Sequence, residues 1–315
     1  MRPQAPDPHR DSRSEGGAPP GARLDRASVR RSFERASASY DGAAVLQARV
    51  RMELLDRLRL IGIEPARVLD LGCGTGEGAR QLKRRYPRAL TVGLDIAPGM
   101  LREARHRSRP FRRFERMCGD AYRLPLADAS IDLVFGNLLL QWCDTPDEVL
   151  AEIRRVSRPG GFFSFSTLGP DTLRELRDAW TAADDASHVN AFLDMHDVGD
   201  ALTRAGFAEP VLDVERFTLS YADVLALTRD LKAIGAHNVT AARHRGLTGR
   251  GKWRAMTEAY ETFRRDGRLP ATYEVIYGAA WSQETRAGSA RGMAHSPTGS
   301  EVRISPAAIR RRPPS

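Results

Sequence analysis

Residues 70–76 are the part of this sequence best suited to chemistry. They read Asp-Leu-Gly-Cys-Gly-Thr-Gly and follow a short apolar run. Glycines let a backbone turn tightly and approach a ligand closely, and a helix that begins behind them presents free N–H groups to that ligand. The segment therefore indicates a cofactor site, although residues 74–79 also fit the degenerate dinucleotide fingerprint.

Three aspartates indicate which cofactor the glycines serve. Asp70 precedes the first glycine, where a carboxylate would repel a pyrophosphate but suits a ligand with an ammonium group. Asp95 ends the second predicted strand, 19 residues after Gly76, where a carboxylate can accept both ribose hydroxyls, as it also does in NAD enzymes. Asp120 ends the third predicted strand and can accept a hydrogen bond from an adenine amino group. The set favours S-adenosylmethionine over NAD.

Apolar patterning predicts the elements that must position these residues. Strand and helix patterns alternate from residue 67 to residue 166. This alternation predicts a doubly wound α/β fold whose parallel sheet binds ligands at the carboxyl ends of its strands. Two further helices, at about residues 221–265, fall between the last two predicted strands and are expected to form a small helical cap over the ligand edge.

Composition bounds the folded part of the chain. Residues 1–27 and 283–315 are rich in Pro, Arg and small polar residues, so we expect two disordered tails around one domain at 28–282, with its cofactor-binding core at 67–167. The 315-residue chain has a net charge of +9, and much of the excess lies in the tail that ends in Arg310, Arg311 and Arg312. The charge therefore does not by itself indicate a nucleic-acid partner.

Cysteine, histidine and apolar residues exclude several classes of protein. Cys73, Cys118 and Cys143 form no extracellular disulfide framework, and the histidines lack metal-site spacing. No apolar stretch is long enough to span a bilayer, and the amino terminus has no apolar secretory segment. We expect a cytoplasmic protein that binds no metal, membrane or nucleic acid.

Four segments together carry a family resemblance: residues 68–76, Asp95, residues 119–121 and residues 158–161. They resemble class I S-adenosylmethionine-dependent methyltransferases, and the resemblance covers about residues 28–282. It implies a Rossmann-like, mostly parallel sheet of seven strands with S-adenosylmethionine as the cofactor.

The resemblance also implies cofactor contacts residue by residue. The methionine part of the cofactor would pass Gly72, Gly74 and Gly76, with Asp70 near its ammonium group. The other implied contacts are Asp95 with the ribose, Ile96 and Met100 with the adenine faces, Asp120 and Ala121 with the adenine edge, and Asn137 and Leu138 beside the reactive sulfonium.

Segments outside the cofactor motif resemble one subfamily, the biotin-synthesis malonyl-acyl carrier protein methyltransferases. They are residues 33–41, 137–142, 165–176, 196–207, 231–238, 246–249 and 269–273. The resemblance implies that the free carboxylate of a malonyl thioester is esterified, which disguises it as an ordinary primer for fatty-acid elongation. The carrier is then an acidic acyl carrier protein, which a basic cluster within residues 243–254 would steer, or the smaller coenzyme A.

We expect this reaction to depend on positioning rather than on a general base. A malonyl carboxylate, with a pKa of about 4, is already ionised at pH 7. Tyr40 either closes the cofactor pocket or donates to this carboxylate, unless it only continues the apolar stripe of its helix. Gln141 and Trp142 are expected to face the substrate channel, with core packing as the alternative for Trp142.

Three basic residues of the predicted cap are candidates for the acyl thioester or its carboxylate: Lys232, His237 and Arg243. The alternative for each is a solvated charged surface. The sequence does not indicate an oligomeric state, and it does not decide between the two carriers.

Other functions also fit parts of the sequence. A group of complex I assembly factors has the same fold and similar patterns at residues 171–176 and 270–273, and it is associated with arginine hydroxylation. Methylation of another small acid or of a quinone ring is a second possibility, although a phenol or carbon acid would require a base. A non-catalytic cofactor-binding scaffold is the third, and the complete cofactor set argues against it.

Overall fold

Seven strands form one sheet in the computed structural model, which describes residues 24–108, 113–184, 186, 188–236 and 249–283. The strands are β1 (Arg67–Leu71), β2 (Leu90–Asp95), β3 (Glu115–Cys118), β4 (Ile131–Asn137), β5 (Ser157–Leu168), β6 (Phe207–Tyr221) and β7 (Leu269–Ser282). The helices are α1 (Arg26–Ala36), α2 (Tyr40–Ala43), α3 (Val45–Arg57), α4 (Glu77–Arg85), α5 (Pro98–His106), α6 (Pro146–Val156), α7 (Arg174–Thr181), α8 (Met195–Arg204), α9 (Val224–Ala233) and α10 (Arg250–Glu261). Short 3-10 turns occupy Leu58–Leu60 and Leu140–Trp142.

The order of the strands confirms the predicted doubly wound sheet. The order is β3-β2-β1-β4-β5-β7-β6. Strands β1 to β5 are parallel, whereas β7 is antiparallel to both of its neighbours. The cap is also confirmed, because α9 and α10 lie between β6 and β7 in the chain.

Alternate residues of the central strands contribute to two hydrophobic cores on opposite faces of the sheet. On β1, Val68 belongs to one core and Leu69 to the other, and on β4 Phe135 and Val134 divide in the same way. Helices α3, α7, α9 and α10 pack on the first core, and α6 and α8 pack on the second. Burial on both faces explains why the central strands read as continuous apolar runs.

The amino-terminal boundary of the domain lies earlier than predicted. Helix α1 begins at Arg26, and the Asp25 carboxylate caps it by accepting from the Ala27 N–H at 3.1 Å. The Leu24 N–H donates to Asp144 at 3.1 Å. Residues 24–27, which the composition assigned to a tail, are therefore part of the fold. The rest of the two predicted tails, residues 1–23 and 284–315, lies outside the described residues.

A turn separates the end of β5 from the start of α7. The Thr172 hydroxyl donates to the Glu274 carbonyl at 3.1 Å and accepts from the Glu274 N–H at 3.1 Å. The Glu274 carboxylate accepts from the Asp171 N–H at 2.9 Å. These bonds hold residues 171–173 in a turn against β7, so the helix starts only at Arg174. The segment at 165–176 that resembled the subfamily therefore connects the end of β5 to α7 and is hydrogen-bonded to β7.

Gly278 on β7 provides a test of this packing, because it pairs with Phe165 on β5 and a Cβ there would lie 2.1 Å from the Phe165 ring. We expect Gly278→Ala to lower the free energy of unfolding by about 1–3 kcal/mol, as overpacking does elsewhere. Urea denaturation followed by circular dichroism measures it.

Gly251→Ala is the matched control. Gly251 lies on α10, and a Cβ added there would meet no neighbouring atom within 4 Å, so alanine should stabilise the protein by up to about 1 kcal/mol through helix propensity. A Gly278→Ala protein as stable as the wild type would contradict the close contact with Phe165.

Candidate functional site

A cavity of about 320 Å³ lies at the carboxyl ends of β1, β2 and β4. Most of the site residues predicted from the sequence line it: Tyr40, Gly72, Gly74, Asp95, Ile96, Met100, Asp120, Ala121, Asn137, Leu138, Gln141, Trp142 and Lys232. The fold therefore brings these residues to the edge of the sheet where α/β proteins bind their ligands.

Asp95 is a buried carboxylate at the end of β2, with 8 % of its surface exposed. Its oxygens accept from the backbone N–H groups of Gly74 at 2.9 Å and Ala97 at 2.8 Å. Burial raises the pKa of Asp95 to about 6, although these backbone bonds act in the opposite direction. Each carboxylate oxygen keeps a further lone pair, so Asp95 is able to accept two ribose hydroxyls as well.

A second cavity of about 210 Å³ adjoins the first at Gly72 and Gly74, and Asp70 and Arg51 line it. Asp70 Oδ2 and Arg51 Nε are buried without a hydrogen-bond partner among the described residues. Burial raises the pKa of Asp70 to about 7, and the nearby Arg51 guanidinium partly offsets this. A carboxylate and a guanidinium that each have an unpaired hydrogen-bonding atom together complement the ammonium and carboxylate of an amino acid.

Arg51 is a candidate that the sequence motifs did not indicate. It lies on α3 directly after the buried Val50. The sequence signal was a charged residue beside the apolar stripe of a helix, but this signal does not distinguish a ligand contact from a solvated arginine.

Gly76 lines neither cavity, which corrects its expected contact with the cofactor. Its φ of +79° lets the chain enter α4, and a Cβ there would lie 2.5 Å from the Phe114 ring. The glycine is therefore required by backbone conformation and packing. Asp70 is likewise placed in the second cavity rather than in the first.

Ile96, Met100, Asp120 and Ala121 line the main cavity together with Tyr122. Asp120 Oδ1 accepts from the Tyr122 N–H at 3.0 Å. The other oxygen of Asp120 therefore remains the more available acceptor for a ligand amino group, and the neighbouring Ile96 and Met100 side chains are suited to pack on a flat ring.

The chain turns sharply after β4, where Leu138 has a φ of +52°. The Ser166 hydroxyl donates to Asn137 Oδ1 at 3.1 Å and accepts from the Leu138 N–H at 3.0 Å. Gln141 Nε2 donates to the Leu138 carbonyl at 2.7 Å, and Asn137 Nδ2 donates to the Gln47 carbonyl at 3.1 Å. Gln141 thus reaches the cavity, but its amide nitrogen holds the turn.

Residues 24–43, which include α1 and α2, lie over the cavity and are called the roof below. Glu34 accepts from the Gly99 N–H at the start of α5 at 2.6 Å and pairs with Arg102. Asp41 accepts from the Thr75 hydroxyl at 2.6 Å. The roof is therefore fastened both to α5 and to the glycine segment, which explains the acidic residues in the segment at 33–41.

The roof contributes two aromatic side chains to the cavity. Phe33 packs edge-on against Trp142, with ring centroids 5.0 Å apart. The Tyr40 hydroxyl has no hydrogen-bond partner among the described residues, and burial raises the pKa of Tyr40 to about 12. Tyr40 therefore keeps its proton at neutral pH and is able to donate it in a hydrogen bond.

Trp180, His188 and Asn190 line the part of the cavity next to α7 and α9, and the sequence motifs indicated none of the three. The rings of Trp180 and His188 stack with centroids 3.6 Å apart. Asp184 contacts His188 Nε2 at 2.7 Å and accepts from Lys252 Nζ on α10 at 2.9 Å, a bond that lowers the pKa of Asp184 to about 2. Helix α10 thus holds this segment in place.

The cap candidates have different outcomes. Lys232 lines the main cavity from α9. His237 and Arg243 lie outside the described residues. In the basic cluster on α10, Lys252 pairs with Asp184, and Arg254 pairs with Glu258 at 2.7 Å.

Comparison with known proteins places the chain in a family. Residues 69–165 match a family described as "Methyltransferase domain". The malonyl-acyl-carrier protein O-methyltransferase of Laribacter hongkongensis is 56 % identical over 270 residues, which cover 83 % of this chain and 91 % of that protein. The chain belongs to the malonyl-acyl-carrier protein O-methyltransferase family.

Other similarities agree with this membership. The Methylovorus protein of the same name is 53 % identical over 269 residues, which cover 84 % of this chain and 91 % of that protein. Among solved structures, the YcgJ protein of Bacillus subtilis is similar in fold, with a TM-score of 0.53 and 15 % identity over 73 % of this chain and 98 % of that one. The protein is therefore an S-adenosylmethionine-dependent methyltransferase, and the arginine hydroxylase alternative is not favoured.

The cavities fit S-adenosylmethionine on their own chemistry. The unpaired hydrogen-bonding atoms of Asp70 and Arg51 complement the charged groups at the amino acid end of the cofactor, and the buried Asp95 carboxylate complements the hydroxyls of its ribose. Within the described ranges, no cluster of three or more His, Cys, Asp or Glu side chains is able to hold a metal. No helix in that part of the chain is both long and apolar enough to cross a membrane.

The Asp95 carboxylate is testable through cofactor affinity. Asp95→Asn should weaken binding of S-adenosylmethionine by about tenfold or more, because hydrogen bonds to a charged acceptor are worth about 1.5–3 kcal/mol. Wild-type affinity should also fall as the pH drops below about 6, where Asp95 gains a proton. Titration calorimetry measures both effects.

Asp213→Asn is the control for this series, since Asp213 is an exposed carboxylate on β6 that pairs with Arg57. Thermal unfolding verifies that both variants are folded. Unchanged cofactor affinity in Asp95→Asn would refute the ribose assignment.

Asp70 makes a second prediction, on the stability of the cofactor-free protein. Its pKa is raised to about 7 in the folded state, so the folded state binds the proton more tightly and stability falls as the pH rises through about 4 to 7. At about pH 8, Asp70→Asn should therefore raise the free energy of unfolding above that of the wild type by roughly 1–3 kcal/mol. The variant then unfolds at a higher urea concentration.

The same difference should shrink as the pH is lowered toward about 3, where the wild-type carboxyl is mostly protonated in both states. Urea unfolding at several pH values measures it. An Asp70→Asn protein that is less stable than the wild type at about pH 8 would contradict this account.

Proposed function

We propose that this protein transfers the methyl group of S-adenosylmethionine to the free carboxylate of a malonyl thioester carried by an acyl carrier protein. The product is the malonyl methyl ester that primes biotin synthesis. The observation that carries the proposal is the 56 % identity over 270 residues to a protein named for this reaction. The site residues below are assigned by their position in the cavities.

The two cavities hold the cofactor in this proposal. Asp70 and Arg51 bind its amino acid end, Gly72 and Gly74 pass its chain, and Asp95 accepts from its ribose. Asp120, Ala121, Ile96 and Met100 surround its adenine, with Asn137 and Leu138 beside the sulfonium. When bound, S-adenosylmethionine supplies an electrophilic methyl group on a positively charged sulfur.

The ionisable groups around the turn at Leu138 suit an acceptor that needs no base. Burial raises the pKa of both Tyr40 and Cys143 to about 12, so both are neutral at physiological pH. Among the lining residues that the structure describes, Asp95 and Asp120 are assigned to the cofactor, and His188 is engaged with Asp184. A carboxylate is ionised already, whereas a phenol or a carbon acid would require a base here.

The protein's side chains position the substrate carboxylate and the cofactor for this reaction. The bonds from Ser166 and Gln141 fix the turn at Leu138, so the wall beside the reacting atoms does not move. The neutral Tyr40 hydroxyl donates to the substrate carboxylate without the strong charge pairing that would blunt its nucleophilicity. Trp142 and Phe33 exclude water from the same space.

Lys232 is the described cap residue that we assign to the acyl thioester, because it lines the cavity from α9. His237 and Arg243 remain candidates for the same role. An acidic carrier protein would be attracted by the basic cluster that includes Arg250 on α10, which makes no ion pair among the described residues. Coenzyme A remains the smaller anionic alternative.

A transfer assay tests the proposal. Protein is incubated with methyl-labelled S-adenosylmethionine and either malonyl-acyl carrier protein, malonyl-coenzyme A or the corresponding acetyl thioesters, which lack the free carboxylate. We expect label on the malonyl carboxyl, detected by mass spectrometry, and none on the acetyl thioesters. The ratio of rates identifies the preferred carrier. Binding of the cofactor without label on either malonyl thioester would refute the proposed function.

A further inference from the structure

Asn190 is a buried polar side chain that the proposed chemistry leaves unused. It is 8 % exposed and lines the main cavity. Its Oδ1 is buried and has no hydrogen-bond partner among the described residues. Burying an acceptor without a donor is costly, so this oxygen indicates that a ligand supplies the donor.

The described residues that line the same cavity as Asn190 provide no partner for its amide oxygen. Leu173, Leu176 and Leu231 contribute apolar surface to the same cavity. Three polar side chains that line the same cavity are bonded elsewhere: Thr172 donates to the Glu274 carbonyl at 3.1 Å, Thr228 donates to the Leu225 carbonyl at 3.0 Å, and His188 contacts Asp184 at 2.7 Å. Among the described residues that line this cavity, Asn190 and Gln47 are the two amides whose oxygens are buried without a partner, and Asn190 is the one beside His188 and Val189.

The chemistry of the substrate identifies the donor, and this step rests on the proposed function. An ionised malonyl thioester has only acceptors, in its carboxylate and its thioester carbonyl. The first N–H along the arm that carries it belongs to the amide three bonds beyond the sulfur. We propose that Asn190 recognises the phosphopantetheine arm, with Oδ1 accepting the N–H of that amide.

The segment that carries Asn190 is held in a way that suits this role. Lys252 on α10 bonds to Asp184, Asp184 contacts His188, and the His188 ring stacks on Trp180 of α7. These contacts join the segment just before Asn190 to α7 and to α10 of the cap. An arm anchored at its amide directs the malonyl carboxylate away from Asn190 along the cavity, which continues to Asn137 and Leu138.

The test compares two small substrates that differ by the amide. Malonyl-N-acetylcysteamine keeps the first amide of the arm, and malonyl pentyl thioester has a chain of similar length without it. The wild type should prefer the amide substrate in kcat/KM by about tenfold, since a site with a buried open acceptor disfavours a ligand that cannot pair with it. In Asn190→Leu this ratio should fall toward one.

Two further variants separate the hydrogen bond from packing. Asn190→Asp keeps an acceptor in place and should retain more of the preference than Asn190→Leu. Thr228→Val is the matched control on the same cavity wall, because its hydroxyl is already bonded to Leu225, and its ratio should equal that of the wild type. Cofactor affinity, measured by calorimetry, verifies that each variant is folded.

Each outcome decides the assignment. A wild-type ratio retained in Asn190→Leu overturns it, and it means that Asn190 meets only water. Asn190→Leu should also lose a similar factor on malonyl-coenzyme A and malonyl-acyl carrier protein, which have the same arm, so a loss confined to one carrier overturns it too. If the wild type binds cofactor but methylates no malonyl thioester, the proposed function itself fails, and this result is distinct from the others.

Discussion

Two carboxylates hold the roof over the open edge of the sheet, and the site depends on them. Glu34 accepts the backbone N–H at the start of α5, where the helix dipole favours a negative charge, and this bond lowers the pKa of Glu34. Asp41 accepts the Thr75 hydroxyl beside the glycines. Helix α1 buries few apolar side chains, Val29 and Ala36 among them. Polar contacts rather than core packing therefore complete the cavity.

The cavity beneath this roof is charged, and its charge opposes the folding of the empty protein. Asp70 and Asp95 are buried with raised pKa values, and the nearby Arg51 only partly offsets the burial of Asp70. A ligand that brings an ammonium group and hydroxyl donors lowers the free-energy cost of burying these two carboxylates. Binding and stability are thus linked, because the ligand favours the folded state over the unfolded one.

The fold, and the cavity that most of the cofactor candidates line, were predictable because both follow from local pattern. Asp95 and Asn137 end β2 and β4, Asp120 follows the end of β3 by two residues, and parallel strands bring their carboxyl ends to one edge. The position of Asn190 on the cavity was not predictable, because this residue lies between helices in a segment without periodicity. Its burial depends on residues from other elements.

The misassigned positions have the same physical origin. A glycine in a motif serves packing as readily as binding, and Gly76 makes room for Phe114. Helix α7 starts only at Arg174 because Thr172 bonds to Glu274, 102 residues further along the chain.

The two ends of the cap are attached at neighbouring points of the sheet. Tyr221 and Leu269, where the chain leaves β6 and enters β7, are paired residues on adjacent strands. Loop-closure entropy grows only with the logarithm of length, so this junction accepts insertions of very different size. A chimaera that exchanges the cap would need to match this pair of residues and the faces of α9 and α10 that pack on the first core.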